Sequence, residues 1–305
     1  MKILIIGLGS IGLRHLNVLQ KLNSKFDIYA LRSSKNSKEI SGVKKVNDLK
    51  EIDFIPYFII ISNPTYIHEK TIEACTKFKC PLFIEKPVLS SLKNAQKILE
   101  KINNYNLITY VACNMRFYPV LGYLKDNLKK WKLKINEINI YSGSYLPNWR
   151  PKTDYKKSYS SFSEMGGGVH LDLIHEIDYC VWLFGMPNAV SVIKRNNSSL
   201  NIDSIDFAKF DLEYDNFNAG ISLNYFRNDP KRELEIVAKD DTLVVDLLQN
   251  SIYSKVQKKC LFRETFEIDD SYKNQMLYFL SCLADRKETF NNFNNGIEIL
   301  KIALN

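Results

Sequence analysis

The sequence predicts a two-domain α/β protein: a doubly wound parallel sheet, then an α+β domain built on a large, mainly antiparallel, open-faced sheet. Three observations predict it. Up to about residue 118, continuous apolar runs alternate with helical patterns, as in parallel strands covered by helices on both faces. From about residue 133, short segments alternate or run apolar between Asn, Asp and Gly breaks, as in antiparallel strands with one wet face. The third is length: 305 residues exceed the roughly 250–300 at which a single core stops growing, so the domains are placed at 1–118 and 119–305.

In the first domain, Lys2–Ile6, Asp27–Leu31, Phe58–Ser62, Leu82–Glu85 and Ile108–Cys113 are expected as strands. Ile11–Leu22, Tyr66–Phe78 and Leu92–Asn103 are the expected crossover helices. Ligands of such a sheet gather beyond the carboxyl ends of its strands. In the second domain the expected strands are Leu133–Ser144, Val190–Arg195, Asp206–Glu213, Ala219–Phe226, Glu233–Ala238, Thr242–Asp246 and Ser251–Val256, an antiparallel meander. One helix, Gly168–Leu183, interrupts it, and Tyr272–Asp285 and Gly296–Leu304 close the chain. A sheet of this size leaves one face for a partner subunit, so a homo-dimer or tetramer is expected.

Composition bounds the function classes. The hydrophobic fraction of 45% and charged fraction of 25% are those of a soluble globular protein. No apolar run approaches the ~20 residues that cross a bilayer, and the N-terminus lacks a signal-peptide layout. A cytoplasmic protein with no membrane partner is expected. The six cysteines are scattered without a C-x-x-C pair and read as core thiols. The net charge of +8 is carried by dispersed pairs such as Lys44-Lys45 and Lys129-Lys130, not a basic stripe with interleaved aromatics. Nucleic acid is therefore not the expected partner; the charge fits solvated lysines, or attraction of an anionic substrate and cofactor.

The strongest local signal is KILIIGLGSIGLRHL, an apolar strand running into a helix. Three glycines at G-x-G-x-x-G spacing are weak evidence alone, but this strand–turn–helix context makes them a dinucleotide fingerprint. Gly7 permits the tight turn, Gly9 lets the backbone approach a pyrophosphate, and Gly12 allows helix–strand packing. Ser10 and Ile11, in the turn between them, complete the expected phosphate cradle at the helix N-terminus. At the end of the second strand an NAD site would offer Asp or Glu to the ribose diol. Here the residues are Leu31-Arg32-Ser33-Ser34-Lys35, and Asp27 lies at the wrong end of the strand. Arg32 and Ser33 suit a 2′-phosphate, so NADP is favoured, with NAD remaining open.

Further motifs follow in order: Ser62-Asn63-Pro64-Thr65 with His68, Glu85-Lys86-Pro87, Cys113-Asn114-Met115-Arg116-Phe117, and Gly166-Gly167-Gly168 before Asp172. Together with the glycine turn they resemble the glucose–fructose oxidoreductase, inositol dehydrogenase and rhizopine-catabolism (Gfo/Idh/MocA) family across essentially the whole chain. The resemblance implies a Rossmann domain and an NAD(P)-dependent oxidoreductase moving a hydride between nicotinamide and a hydroxyl or keto carbon of a sugar-type substrate. It implies that Lys86 meets the reacting oxygen and Glu85 holds the nicotinamide end. Ser62, Asn63, Pro64, His68 and Asn114 would line the cofactor, His68 as a structural or cofactor-adjacent group rather than a catalyst.

In the expected Gly168–Leu183 helix, family members usually set the histidine four residues after the aspartate. This chain reads Asp172-Leu173-Ile174-His175 with Glu176 in the fourth place. Residues three and four apart share a helix face, so either His175 or Glu176 can neighbour Asp172. His175 is preferred as general acid/base because imidazole titrates near neutral pH. Asp172 would orient it or bind a substrate hydroxyl. His170 and His175, five apart, point different ways on a helix, and no metal is expected. The loop Tyr145-Leu146-Pro147-Asn148-Trp149-Arg150-Pro151 is long enough to be functional. Trp149 can stack on a sugar face and Arg150 can fork onto a carboxylate or phosphate; alternatively the loop packs at a subunit interface. Arg116 is expected beside the substrate. A similar stretch marks a subgroup linked to surface-polysaccharide sugars, which points to an acidic or nucleotide-linked sugar. The altered Asp/His spacing keeps one alternative, a catalytically inactive dinucleotide-binding partner protein.

Overall fold

The computed structural model of the chain describes residues 1–23, 25–32 and 39–305. Its contacts separate two compact units, Met1–Cys113 with Tyr272–Leu300, and Asn114–Ser271 with Lys301–Asn305.

The first unit holds a six-stranded parallel sheet of β1 (Lys2–Ile6), β2 (Asp27–Leu31), β3 (Val43–Val46), β4 (Phe58–Ile61), β5 (Leu82–Glu85) and β6 (Thr109–Ala112), in the order β3-β2-β1-β4-β5-β6. Ile3, Leu4, Ile5 and the whole Phe58–Ile61 run are solvent-free, which is why these stretches are continuously apolar. Helices α1 (Ser10–Leu22), α2 (His68–Cys75) and α3 (Ala95–Asn104) cross between strands. α1 buries Gly12, His15, Leu16 and Leu19 on the one face that its period brings together. The strand order reverses between β1 and β4, and the ends of these two strands are where Gly7 and Ser62 lie.

A single cut after residue 118 does not describe these contacts, because Tyr272–Leu300 packs with the first unit. The physical reason is aromatic. Phe279 lies 5.3 Å from Phe58 and 5.4 Å from Phe83, ring centroid to centroid, in edge-to-face arrangements. Thr289 Oγ1 donates to the Thr109 carbonyl at 2.6 Å, and the Asn291 side-chain amide donates to the Val111 carbonyl at 2.8 Å.

The second unit opens with α4 (Pro119–Trp131) and carries an eight-stranded sheet. Its strands are β7 (Ile135–Gly143), β8 (Ala189–Arg195), β9 (Phe207–Glu213), β10 (Asn218–Asn224), β11 (Lys231–Ala238), β12 (Thr242–Asp246), β13 (Ser251–Ser254) and β14 (Lys259–Arg263), in the order β14-β13-β12-β11-β7-β10-β9-β8. It is a meander with one departure: β7 pairs parallel with β10, and every other neighbour is antiparallel. Alternate residues are buried, as with Ala208, Phe210 and Leu212, while Lys209, Asp211 and Glu213 between them face outward.

The expected Gly168–Leu183 helix is two pieces. α5 (Val169–Asp172) ends at Leu173, and α6 (His175–Phe184) starts after Ile174. Leu173 sits at φ −99°, ψ 32°, outside the helical region, so Asp172 closes one segment and His175 begins the next. Spacing along one continuous helix therefore does not decide which side chain neighbours Asp172. The chain ends with α7 (Ile268–Asp285) and α8 (Phe293–Leu304).

Candidate active site

Gly7 follows β1 at φ +92°, a conformation that side-chain-bearing residues avoid, and a Cβ there would fall 2.6 Å from the Asn63 backbone. A Cβ on Gly12 would come within 2.1 Å of the Gly7 carbonyl oxygen, so α1 can approach β1 this closely only through glycine. At Gly9, by contrast, a Cβ would meet nothing within 4 Å. Gly9 is also the N-cap of α1, without a side-chain cap and without an acidic residue in the first turn. The leading N–H groups of the helix therefore have no side-chain cap, the arrangement that takes phosphate oxygens. These residues fit a dinucleotide pyrophosphate. Ser62, expected at the cofactor, spends its hydroxyl on the Gly7 carbonyl at 2.8 Å and so braces the turn from β4. The Asn63 amide nitrogen donates to Thr71 Oγ1 at 2.7 Å. Ser10 and Ile11 lie in the first turn of α1 and Pro64 just after β4. Arg32 is half-buried after β2, and Ser33 lies outside the described residues.

The second group ends β5. Glu85 is buried, and its Oε1 lies 2.5 Å from Nε2 of His15, a wholly buried ring on α1. The other carboxylate oxygen accepts the Lys86 N–H at 3.2 Å. Lys86 is half-buried, and its bond to Pro87 is cis. His68, at the start of α2, bridges the same turn: Nε2 is 2.9 Å from the Asn63 carbonyl, and Nδ1 is 3.1 and 3.2 Å from those of Pro87 and Val88. Burial pushes the His68 pKa down, so the ring is neutral at pH 7 and its single N–H serves one side at a time.

The third group lies in the second unit. Asp172 is buried, and each carboxylate oxygen accepts a phenol, Tyr159 at 2.8 Å and Tyr225 at 2.6 Å. The Asp172 charge and burial hold the Tyr159 phenol well above its ordinary pKa; burial first, then Asp172, does the same to Tyr225. Both phenols thus stay protonated and donate. The 145–151 loop leans on them. Trp149 meets the Tyr225 ring edge-on at 5.3 Å while its indole N–H donates to Ser144 at 2.8 Å, and the exposed Arg150 guanidinium sits 5.3 Å over the Tyr159 ring. His175 is buried at the start of α6.

Two acidic groups beyond Asp172, Glu176 and Asp178, are held in buried ion pairs. Glu176, fully buried, takes Arg232 of β11 through both oxygens at 2.6 and 3.1 Å. Arg116, expected at the substrate, is instead buried with its guanidinium forked onto Asp178 at 2.7 and 2.8 Å. Asp178 lies three residues into α6, so the pair ties the turn after β6 to that helix. The Asn114 amide donates to Ser271 Oγ at 2.9 Å. His170 is buried apart from these pairs; burial, aided by Lys194, brings its pKa down to about 4. Among the described residues no group of three or more His, Cys, Asp or Glu could hold a metal ion, and no helix is long and apolar enough to cross a membrane.

Sequence reasoning missed His15, Tyr159, Tyr225, Arg232 and Asp178. Only His15 left a signal, since it follows Gly12 by three residues and shares its sheet-facing side of α1. The tyrosines and Arg232 lie 13 to 56 residues from their partners, beyond any helical or strand period.

The model of the oxidoreductase family with an NAD-binding Rossmann fold (GFO_IDH_MocA) matches residues 1–113. That of the GFO/IDH/MocA C-terminal domain matches residues 134–244. The chain belongs to this family. An uncharacterized oxidoreductase of Bacillus subtilis, YrbE, is 24% identical over 98% of this chain and 91% of its own length. Myo-inositol 2-dehydrogenase of Thermotoga maritima is 27% identical over 61% of this chain and 55% of its own. Among solved structures, UDP-N-acetylglucosamine 3-dehydrogenase from Acidithiobacillus ferrooxidans superposes with a TM-score of 0.80 at 17% identity, over 100% of this chain and 95% of that one. At that identity the likeness shows the shared Gfo/Idh/MocA fold.

Proposed function

We propose that this Gfo/Idh/MocA member is an NADP-preferring dehydrogenase or reductase of a sugar derivative carrying an acidic or nucleotide group. The observation that carries the substrate half is the cluster on Asp172. A carboxylate locked by two phenols, with Trp149 and Arg150 packed on those same rings, offers a hydroxyl acceptor, an apolar stacking face and a cation together. That set suits a polyol ring bearing negative charge. The relatives named for inositol and for a UDP-sugar are compatible with it.

When bound, the nicotinamide supplies the hydride acceptor or donor. The protein's residues do the rest. The N–H groups behind Gly9 bind the pyrophosphate, and Arg32 takes the 2′-phosphate. Lys86 hydrogen-bonds the reacting oxygen and passes its proton. His175 exchanges that proton as general acid/base, a role for which Glu176, committed to Arg232, is not free. Asp172, already holding two O–H donors, fixes a substrate hydroxyl rather than moving a proton. Asn114 lies at the cofactor. Arg116, held by Asp178, supports α6. The outward face of the eight-stranded sheet is the surface proposed to pair two copies of the chain.

The test is a panel of free, acidic and nucleotide-linked sugars with NADP and NAD, read by nicotinamide absorbance. Turnover of a charged sugar with NADP supports the reading. Dinucleotide binding without turnover of any sugar would overturn it in favour of a non-catalytic partner protein.

A further inference from the structure

We infer that His15 is a positioning residue for Lys86, acting through Glu85 and tying the lysine turn to the helix that cradles the phosphates. The inference rests on the proposed role of Lys86. His15 is wholly buried on α1, three residues past Gly12, yet its Nε2 contacts the carboxylate at the end of β5, 70 residues on. Such a contact is not a by-product of packing. A buried imidazole and a buried carboxylate each cost several kcal/mol of desolvation unless they satisfy one another.

The Glu85 carboxylate uses both oxygens, one for His15 and one for the Lys86 N–H. An ionised carboxylate only accepts, so His15 Nε2 carries the proton and donates. The ring is held edge-on between Phe83 at 4.9 Å and Tyr272 at 6.0 Å, which fixes its plane. Among the described residues Nδ1 is buried with no partner, and the ring's polar contact there is the one with Glu85. The chain of contacts runs from α1 through His15 and Glu85 to the Lys86 backbone. His68 closes the other side of the turn at Pro87 and Val88. Lys86 therefore leaves a backbone anchored at its own N–H to Glu85, with the His68 ring set against the following turn.

Residue-resolved amide exchange of the full chain tests this, with His15→Ala and His15→Gln against wild type. In His15→Ala the Lys86 N–H should exchange about tenfold faster, the worth of one hydrogen bond, while Leu82–Ile84 amides are unchanged. His15→Gln, which can still donate to Glu85, should return Lys86 to within about threefold of wild type. Dinucleotide Kd should hold within about threefold in both variants, and kcat for any panel substrate should fall about 10–100-fold in His15→Ala with KM little changed. Unaltered exchange at Lys86, or equal acceleration throughout Leu82–Ile84, would overturn the inference. If His15→Ala does not fold, Glu85→Leu takes its place and must give the same local acceleration. Lys86→Ala with normal turnover would defeat the functional reading while leaving the exchange result standing.

Discussion

Around Gly7 the bracing groups come from the strand ends that flank it: the Ser62 hydroxyl on the Gly7 carbonyl, the Asn63 backbone against Gly7, the Gly12 face against β1. Around Asp172 they arrive as side chains from separate elements: Tyr159, Tyr225 on the strand-edge after β10, and Arg232 on Glu176 from β11. The first region is held by backbone approach, which glycine spacing announces. The second is held by buried charge and phenol hydrogen bonds, which no spacing announces. Substitutions of these bracing groups should accordingly act in different ways, on binding geometry around Gly7 and on stability around Asp172 and Glu176.

The largest expected effect tests the proposed catalytic role of Lys86 in the first region. Lys86→Ala should lower turnover by about 10⁴-fold, at the upper end of proton-transfer catalysis, while melting temperature and dinucleotide affinity stay near wild type. Near-normal kcat would remove the lysine from the chemistry.

Next come the two neighbours at the start of α6. His175→Asn should cost about 10²–10⁴ in kcat with little loss of stability. Glu176→Gln should do the reverse. It strands Arg232, and denaturant unfolding should show a loss somewhat below the about 3–5 kcal/mol of a fully buried pair. The discount follows from the 21% of the Arg232 side chain still exposed. A dead but stable Glu176→Gln would exchange the two roles.

Arg116→Met tests what holds the 114–117 turn. Both partners of its pair are at most 5% exposed, so removing the guanidinium should cost about 3–5 kcal/mol of unfolding free energy. A large rise in substrate KM with no change in stability would instead return Arg116 to the substrate.

His170 should make the second unit acid-sensitive. Its folded pKa, about 4, lies below the ordinary 6.5, so between those values the unfolded chain binds a proton that the native state refuses. Stability should therefore fall as pH drops from 6.5 toward 4, by about 2–3 kcal/mol from this group, and level off below. The difference in unfolding free energy between wild type and His170→Gln across that range isolates it; an unchanged pH slope would contradict the assignment.

The smallest expected effect sits at the edge of the first region. Arg32→Ala should weaken NADP by about 1.5–3 kcal/mol and leave NAD nearly unaltered, as one charge-assisted pair is lost. Equal losses for both dinucleotides would return Arg32 to a solvated loop.

What could be read from the sequence follows the same division. Runs such as Ile3–Ile6 and Phe58–Ile61 are visible because burial on both faces leaves no polar residue in them. β3, reading Val-Lys-Lys-Val, was invisible because a parallel edge strand with two exposed lysines has a loop's composition. β14 is exposed or half-exposed throughout, and its short apolar run Cys260–Phe262 does not alternate. α4 went unplaced although Pro119 opens it in the manner of a helix start, since Gly122 and Asn127 dilute its pattern. The break between α5 and α6 falls at Leu173-Ile174, where neither glycine nor proline marks it. The glycine turn at Gly7, Gly9 and Gly12 was legible as a local motif. The commitment of Arg116 to Asp178 was not, because its partner lies 62 residues away and a guanidinium looks the same in either role.

The return of Phe279, Thr289 and Asn291 to the sheet begun at Lys2 has a consequence for synthesis. The aromatic surface of Phe58 and Phe83 is made early on the ribosome, but its cover is translated more than ~190 residues later, some tens of seconds at elongation rates of about 5–20 residues per second. Until then that surface is sticky and the nascent chain depends on holding factors or on its own loose collapse. A premature stop between the first crossover helix and Tyr272 would release a product with a complete glycine turn and no lid for its core. Such fragments should be cleared by proteases rather than accumulate as a free dinucleotide-binding module.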